Sequence, residues 1–501
     1  MTMRRGLVLP GLVLMVLGFL AVAAPVTPAI AQGSLAVQVP AEPPGLDLTA
    51  SPASAIAAIV HYNVQECLVK VDKSGKLVPW LADRWYTTDS KNYTFFLKKG
   101  VHFHNGREMK AADVKFVLER AANPETKHPF QKRYEIIREI IVKDDYTVSI
   151  ALKEVNANFL LEMARQGSVI YPREAVDTLK SAPMGTGPFT VADWVRGDRV
   201  VLAKNKDYHV KGLPHLDKVT FRFIPDPNSA LAALKSGDID VSAFGLGPEN
   251  VVDLKKDPRF QVILGDTTND VILAMNNSKK PYSDKRVRVA ITQAINKEEV
   301  LKGAMFGLGR ILGSNVDPLN PYFVDMSKAV PYDPARAKKL LAEAGYPNGF
   351  DAVLRVSPQY YYTVRTGEVV VSQLAKVGVK VKIEQIEWPQ WLSQVYKDAN
   401  YDLTIIGHAE PWDIVNYANP NYYYRWDNRD FQALYKESEQ TVDDKKRREQ
   451  YARLQKMMAD EAPVVWLYMH PRLVVAKKGV TGIWKDLPIS SLDLTEVAWQ
   501  K

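Results

Sequence analysis

Cysteine is almost missing from this 501-residue chain. Cys67 stands alone, so no disulfide can form within one molecule. No cysteine lies at the N-terminal small-residue stretch either, which excludes a lipid-anchored N-terminus. There is no H-E-x-x-H pair, no G-x-S-x-G elbow and no P-loop, so zinc hydrolase, serine hydrolase and nucleotidase chemistry have no motif to rest on. The G-x-G fragments Gly245-Leu246-Gly247 and Gly307-Leu308-Gly309 lack a helix-starting glycine and read as ordinary turns. After the first two dozen residues no second long apolar run follows, so the mature chain is expected to be soluble.

What is present suits a folded protein. The chain is 46% hydrophobic and 24% charged, and at roughly 100–200 residues per domain it has room for two or three domains. Residues 1–31 read as a secretory signal peptide. Arg4-Arg5 is basic, Leu7 to Ala24 is apolar and uncharged, and Ala29-Ile30-Ala31 offers small residues for cleavage before Gln32. The twin arginine leaves the export route open between the general and the twin-arginine pathways. Without Arg4 and Arg5 the 65 basic residues fall to 63 against 57 acids, a net charge of +6. In an exported protein that balance suggests solubility or attraction to anionic surfaces, and no nucleic-acid partner is expected. A large exported chain without disulfides points to a soluble periplasmic protein.

Strand and helix patterns alternate along the chain, which argues for α/β layers. Tyr93–Leu97, Val200–Ala203, Val379–Ile383, Tyr401–Ile406, Val464–Tyr468 and Leu473–Ala476 read as strands. Ala111–Ala122, Ser229–Lys235 (capped by Ser229), Val369–Val377 and Arg447–Ala459 read as helices, and 333–345 reads as a helix with Asp333 as cap and Pro334 in its first turn. His102 and His104 share one strand face, but no acid or cysteine completes a metal set. No metal and no cofactor are expected.

Residues 408–426, HAEPWDIVNYANPNYYYRW, follow the strand YDLTII. Aromatic rings on a loop offer contact area at low entropy cost, and a cation near their faces gains a further attraction. Trp412, Tyr417 and the run Tyr422-Tyr423-Tyr424 are therefore candidate cleft walls. Packing into their own core is an equal reading for the triple tyrosine. Glu410 and Asp413 also admit an acid–base pair, as in a periplasmic hydrolase.

Six stretches in order resemble the family 5 extracellular solute-binding proteins of ABC transporters, the dipeptide, oligopeptide and nickel-binding group. The first is 77–124, LVPWLADRWYTTDSKNYTFFLKKGVHFHNGREMKAADVKFVLERAANP. Then come Gly185-Thr186-Gly187-Pro188-Phe189, a turn read as needing glycine's free backbone angles, and Asn205 with Tyr208 and Leu216–Val219. Ala233-Leu234 with Gly237–Asp240, Met275–Asn277 with Arg286–Ile295, and 337–350 complete the set. The resemblance implies an α/β, two-lobed periplasmic binding protein (type II, large peptide-binding subclass) with an extra subdomain in lobe one. By similarity, lobe one spans 32–267 with the extra subdomain at about 62–182, lobe two spans 268–479, and 480–501 returns to lobe one. Hinge strands are expected near 268–275 and 473–480.

The resemblance further implies a non-enzymatic monomer that captures a short peptide or amino-acid-derived solute and delivers it to ABC permease subunits in the inner membrane. In such proteins a loop aspartate meets the ligand's ammonium group. Asp413 is the candidate here and Glu410 the rival, with His408, Trp412 and Tyr417 around them. Tyr360 and Arg365 form a second candidate segment, Arg365 for a ligand carboxylate. Trp388, beside Glu387, is a third. A nickel-complex, opine or sugar binder on the same scaffold is the alternative.

Overall fold

The computed structural model describes residues 1–2 and 33–500. The expected signal peptide therefore falls outside the described residues, apart from its first two. No helix among the described residues is long and apolar enough to cross a membrane.

Two large sheets carry the two lobes. The first has seven strands, in the order Phe260–Gly265, Arg472–Lys477, Val241–Ser242, Ser34–Val39, Lys218–Phe223, Arg199–Lys204 and Phe189–Val195. The second has six, in the order Arg310–Ile311, Val464–Met469, Asp270–Met275, Leu403–His408, Asp351–Val356 and Lys380–Gln385. A separate four-stranded antiparallel sheet joins Ala82–Tyr86, Asn92–Leu97, Thr147–Leu152 and Ile137–Asp144. It lies within the segment expected to form the extra subdomain.

The chain changes sheet twice. It leaves the first after Gly265 and enters the second at Asp270, then returns between Met469 and Arg472. The crossings are bonded to each other: Thr267 Oγ1 donates to His470 O at 2.6 Å and His470 N donates to Asn269 O at 2.8 Å. Of residues 473–479, expected in lobe two, 473–477 pair within the first sheet. Leu473 pairs with Leu264 and Val475 with Val241's neighbour Ser242, inside the first sheet. Leu473–Ala476 is apolar on both faces, so its pattern fits an interior strand of either sheet and carries no signal for the choice.

Helix Ala111–Ala122 has the bounds its pattern predicts, with Asp113 accepting from Lys110 N at 2.9 Å. Helix Pro227–Ser236 corrects the expected cap: Asp226 fills that role, accepting from Ser229 N at 2.8 Å, and Pro227 takes the first helical position. The helix expected at 369–377 begins earlier, spanning Tyr361–Ala375. Gly185 and Gly187 of the GTGPF turn do not need unusual backbone angles. They need space, since a Cβ would stand 2.3 Å from Val64 O at Gly185 and 2.7 Å from Asn63 O at Gly187. His104 is bound into the same turn through both ring nitrogens, at Gly187 O (3.1 Å) and Gly185 N (3.3 Å), and so belongs to the scaffold. Cys67 is buried.

Strand Asp270–Met275 is the buried centre of the second sheet. Val271, Leu273 and Met275 pack against helices Lys285–Gln293, Lys297–Met305 and Tyr361–Ala375. Ile272 and Ala274 face the opposite way, into a core of Ile406, Ile414, Tyr417, Tyr423, Tyr424, Tyr451 and Trp466. The aromatic loop thus covers part of one face of this sheet, together with helices Arg429–Gln440 and Asp444–Glu461.

Candidate solute site at the aromatic loop

The loop begins where strand Leu403–His408 ends. Trp412 sits in the left-handed region at φ 62°, a conformation that costs a non-glycine residue about 1–3 kcal/mol unless its surroundings enforce it. They do. Arg165 donates to the carbonyl of Pro411, and Arg133 stands 3.9 Å from Glu410. The indole of Trp412 meets Tyr322 edge-on at 5.5 Å and Tyr451 at 6.1 Å. It packs against the apolar cores of both lobes. The loop is therefore fastened from the first lobe as well as from the second.

The lobes meet elsewhere along the same line. Ala157 N donates to Glu439 O at 2.8 Å. Arg447, buried in helix Asp444–Glu461, reaches Ala157 O at 3.3 Å and also bonds Asn158. A groove of about 370 Å³ opens next to these contacts, between Ile136 and Glu154–Asn156 on one side and Val415, Asn419 and Tyr435 on the other.

The two candidate acids have different surroundings. Glu410 is exposed, its carboxylate facing Arg133 and solvent. Asp413 is 3% exposed and opens a short 3-10 turn, Asp413–Asn416. Asn315 Nδ2 donates to its Oδ1 at 2.6 Å, whereas its Oδ2 is buried with no partner. Burial, with Glu410 and Asp317 as negative neighbours, pushes its carboxyl well above the usual carboxylate range. Asp317 is also buried, which pushes it up to about 7. An acid pair that needs both carboxyls at one reacting bond does not match one buried and one exposed group.

Other candidates are placed as follows. His408 accepts or donates at Nε2 with the hydroxyls of Tyr423 (2.8 Å) and Tyr424 (2.9 Å), and burial holds it down to about 4, so it is neutral. Tyr417, Tyr423 and Tyr424 are fully buried in the second lobe, and Tyr417 stacks on Tyr424 at 5.0 Å. The triple tyrosine thus chiefly builds the core face that supports Asp413. Tyr360 precedes the first turn of helix Tyr361–Ala375 and meets Trp388 edge-on at 5.0 Å, while Trp388 stacks on Trp391 at 4.9 Å. Arg365 does not present a free guanidinium: Glu249 of the first lobe occupies it at 2.9 and 3.1 Å.

Several participants had no sequence signal strong enough to mark them. Asp270 reads as the polar edge of an apolar strand. Asn315 and Asp317 sit in a loop without a motif. Arg165 and Arg447 look like ordinary surface cations of helical segments. An acid directly preceding the run VILAM was the one available hint. Among the described residues, no group of three or more His, Cys, Asp or Glu is placed to hold a metal ion.

Residues 76–430 match the family described as bacterial extracellular solute-binding proteins, family 5 middle. Heme-binding protein A of Haemophilus influenzae is 29% identical over 449 residues, 80% of each chain. Di/tripeptide-binding protein 1 of Pseudomonas aeruginosa is 29% identical over 441 residues, covering 79% of this chain and 81% of its own. The structure of the periplasmic binding protein AgaA from A. tumefaciens R10, in complex with agropinic acid, superposes with a TM-score of 0.80 at 29% identity, covering 94% of this chain and 99% of that one. With its two sheets, its paired crossings and its aromatic loop closed between the lobes, the chain belongs to the family 5 bacterial extracellular solute-binding proteins, the solute-capturing components of ABC importers.

Proposed function

We propose that this protein captures a short peptide or an amino-acid-derived solute carrying a free amino group, between its lobes, and hands it to permease subunits in the inner membrane. The observation that carries this reading is Asp413, a buried carboxylate with one oxygen unpartnered, at the foot of an aromatic loop that both lobes grip. A buried anion of that kind gains most from a ligand cation, because the pair is charge-assisted and weakly screened. Trp412 supplies a ring face for the remainder of the solute. The name of the Pseudomonas relative, a di/tripeptide-binding protein, supports the same class.

The reading places the protein in the periplasm as a monomer, with residues 1–31 removed on export. It divides the chain into a first lobe of about 33–265 and 472–501, with the extra subdomain near 62–182, and a second lobe of about 268–470. Native mass spectrometry of protein purified from its own host is the test. A co-purifying mass that fits a peptide or another amine supports the proposal, and a solute without an amine overturns it.

A further inference from the structure

Asp270 begins the central strand of the second sheet and is 1% exposed. Side chains alternate along a strand, so Asp270 shares the aromatic face with Ile272 and Ala274. Across the ladder, His408 stands directly opposite Asp270 and Trp466 opposite Ile272. Tyr417 closes over the same face, 5.8 Å from the indole of Trp466. Asp413 lies one turn before Tyr417. The two carboxyls feel each other's charge, and the Tyr417 hydroxyl lies in the field of both.

Several polar atoms on this face are left without partners. Asp270 Oδ2, Asp413 Oδ2 and Asn315 Oδ1 are buried acceptors with no hydrogen-bond partner. The Tyr417 hydroxyl and the Trp466 Nε1–H, on the same face, lie against each other. Buried polar atoms are nearly always paired, so a cluster of orphaned acceptors marks a place for a missing donor. Neither carboxyl has a lysine, arginine or protonated histidine beside it among the described residues. His408 is neutral, and Arg447 is committed to Ala157, Asn158 and Tyr322. A metal ion is a poor match, since no three ligating residues converge among the described residues. An N–H-bearing cation would supply both the donors and the countercharge that these acceptors lack.

We propose that Asp270 is a second anionic group of the solute site, and that Asp270 and Asp413, with the Tyr417 hydroxyl and the Asn315 amide oxygen, together receive one N–H-bearing cation, a primary ammonium or a guanidinium. The proposal rests on the reading of Asp413 as solute-facing. Burial and the neighbouring acids, Asp317 among them, raise both carboxyls. A cation beside them would offset that repulsion. A second carboxyl at the site favours solutes whose cationic head is bare and sterically open over those whose nitrogen is alkylated or acylated.

Methylammonium is a sufficient probe. At constant ionic strength and pH 8, methylammonium chloride raises the unfolding midpoint of the wild-type protein above its value in sodium chloride. Tetramethylammonium, with the same charge and no N–H, does not. Asp270→Asn weakens methylammonium binding at least about tenfold, as Asp413→Asn does. Because the substituted amide is neutral beside the acids Asp413 and Asp317, Asp270→Asn also melts above the wild type when no cation is added. Tyr417→Phe removes one acceptor, weakens methylammonium severalfold, and serves as the reading if Asp270→Asn does not fold.

Methylammonium binding to Asp270→Asn within twofold of wild type, equal stabilisation by tetramethylammonium, or no effect of methylammonium on the wild type each overturns the proposal. A peptide that binds wild type and Asp270→Asn alike leaves the peptide reading standing and removes Asp270 from the site. Methylammonium binding with the expected pattern, and no peptide binding, does the reverse.

Discussion

Arg365 and Glu249 face each other across the cleft in a two-point ion pair, Nη1 to Oε2 at 2.9 Å and Nη2 to Oε1 at 3.1 Å. One belongs to helix Tyr361–Ala375 and the other to helix Pro248–Leu254, so the pair exists only while the lobes are together. Both side chains are more than a third exposed, which limits such a pair to about 1 kcal/mol. Glu249→Gln is expected to shift the solute-free population toward the open form and to weaken solute binding by up to about fivefold. Small-angle scattering reads the first effect as a larger radius of gyration, and calorimetry reads the second. If a solute carboxylate takes Arg365 from Glu249, the variant binds that solute more tightly instead.

The acids of the loop separate by substitution. Asp413→Asn keeps the shape and removes the charge, which is expected to cost about 2–5 kcal/mol of binding to an amine-bearing solute. Glu410→Gln, at the exposed rim, is expected to stay within about 1 kcal/mol. Titration calorimetry on both variants with the co-purified solute checks the order.

Stability of the solute-free protein should depend on pH with an unusual sign. Burial raises Asp317 to about 7 and lifts Asp270 and Asp413 in the same direction, above the ordinary value near 3.8. A folded-state pKa above the unfolded value means that the folded form binds the proton more tightly. The stabilisation is complete below about pH 4 and is lost as pH rises toward and through 7. Calorimetric melts without solute should therefore give a lower midpoint at pH 8 than at pH 6, with Asp317→Asn flattening the slope. A saturating amine solute should reduce the same slope.

Lys70 and Asp493 form a buried ion pair at 2.5 Å, with Lys70 also 4.0 Å above the indole of Trp80. It ties the C-terminal segment to the first lobe. Removing one partner strands the other charge, so Asp493→Ala is expected to destabilise by about 3–5 kcal/mol. Chemical denaturation measures it, and Lys70→Met with Asp493→Leu should recover most of the loss.

Much of the scaffold was legible because it depends on local chemistry. The helix at Ala111–Ala122, the Asp333 cap and the strand Asn92–Leu97 all follow from periodicity and capping. Asp226 and Ser229 flank Pro227 and are both capping residue types, so the sequence alone does not say which one starts the helix. Strand Arg472–Lys477 pairs within the first sheet, a choice for which its apolar pattern carries no signal. The site was less legible for a different reason. Whether Arg365 meets a solute or Glu249, and whether Asp270 meets the core or a cation, depends on partners more than a hundred residues away. Tyr417, Tyr423 and Tyr424 look alike in sequence to a cleft wall and to a core. Only their burial against Ile272, Ala274 and Trp466 shows that they face inward.

The paired crossings at 265–270 and 469–472 have a mechanical consequence. Two short connections laced by Thr267–His470 and His470–Asn269 hydrogen bonds act as a strap. A strap flexes readily about one line and resists torsion and sideways slip. An opening about that line would be described by a single coordinate, an angle, whatever molecule lies inside. Chemically unlike cargoes that fill the gap equally would present the same outer face to a receptor.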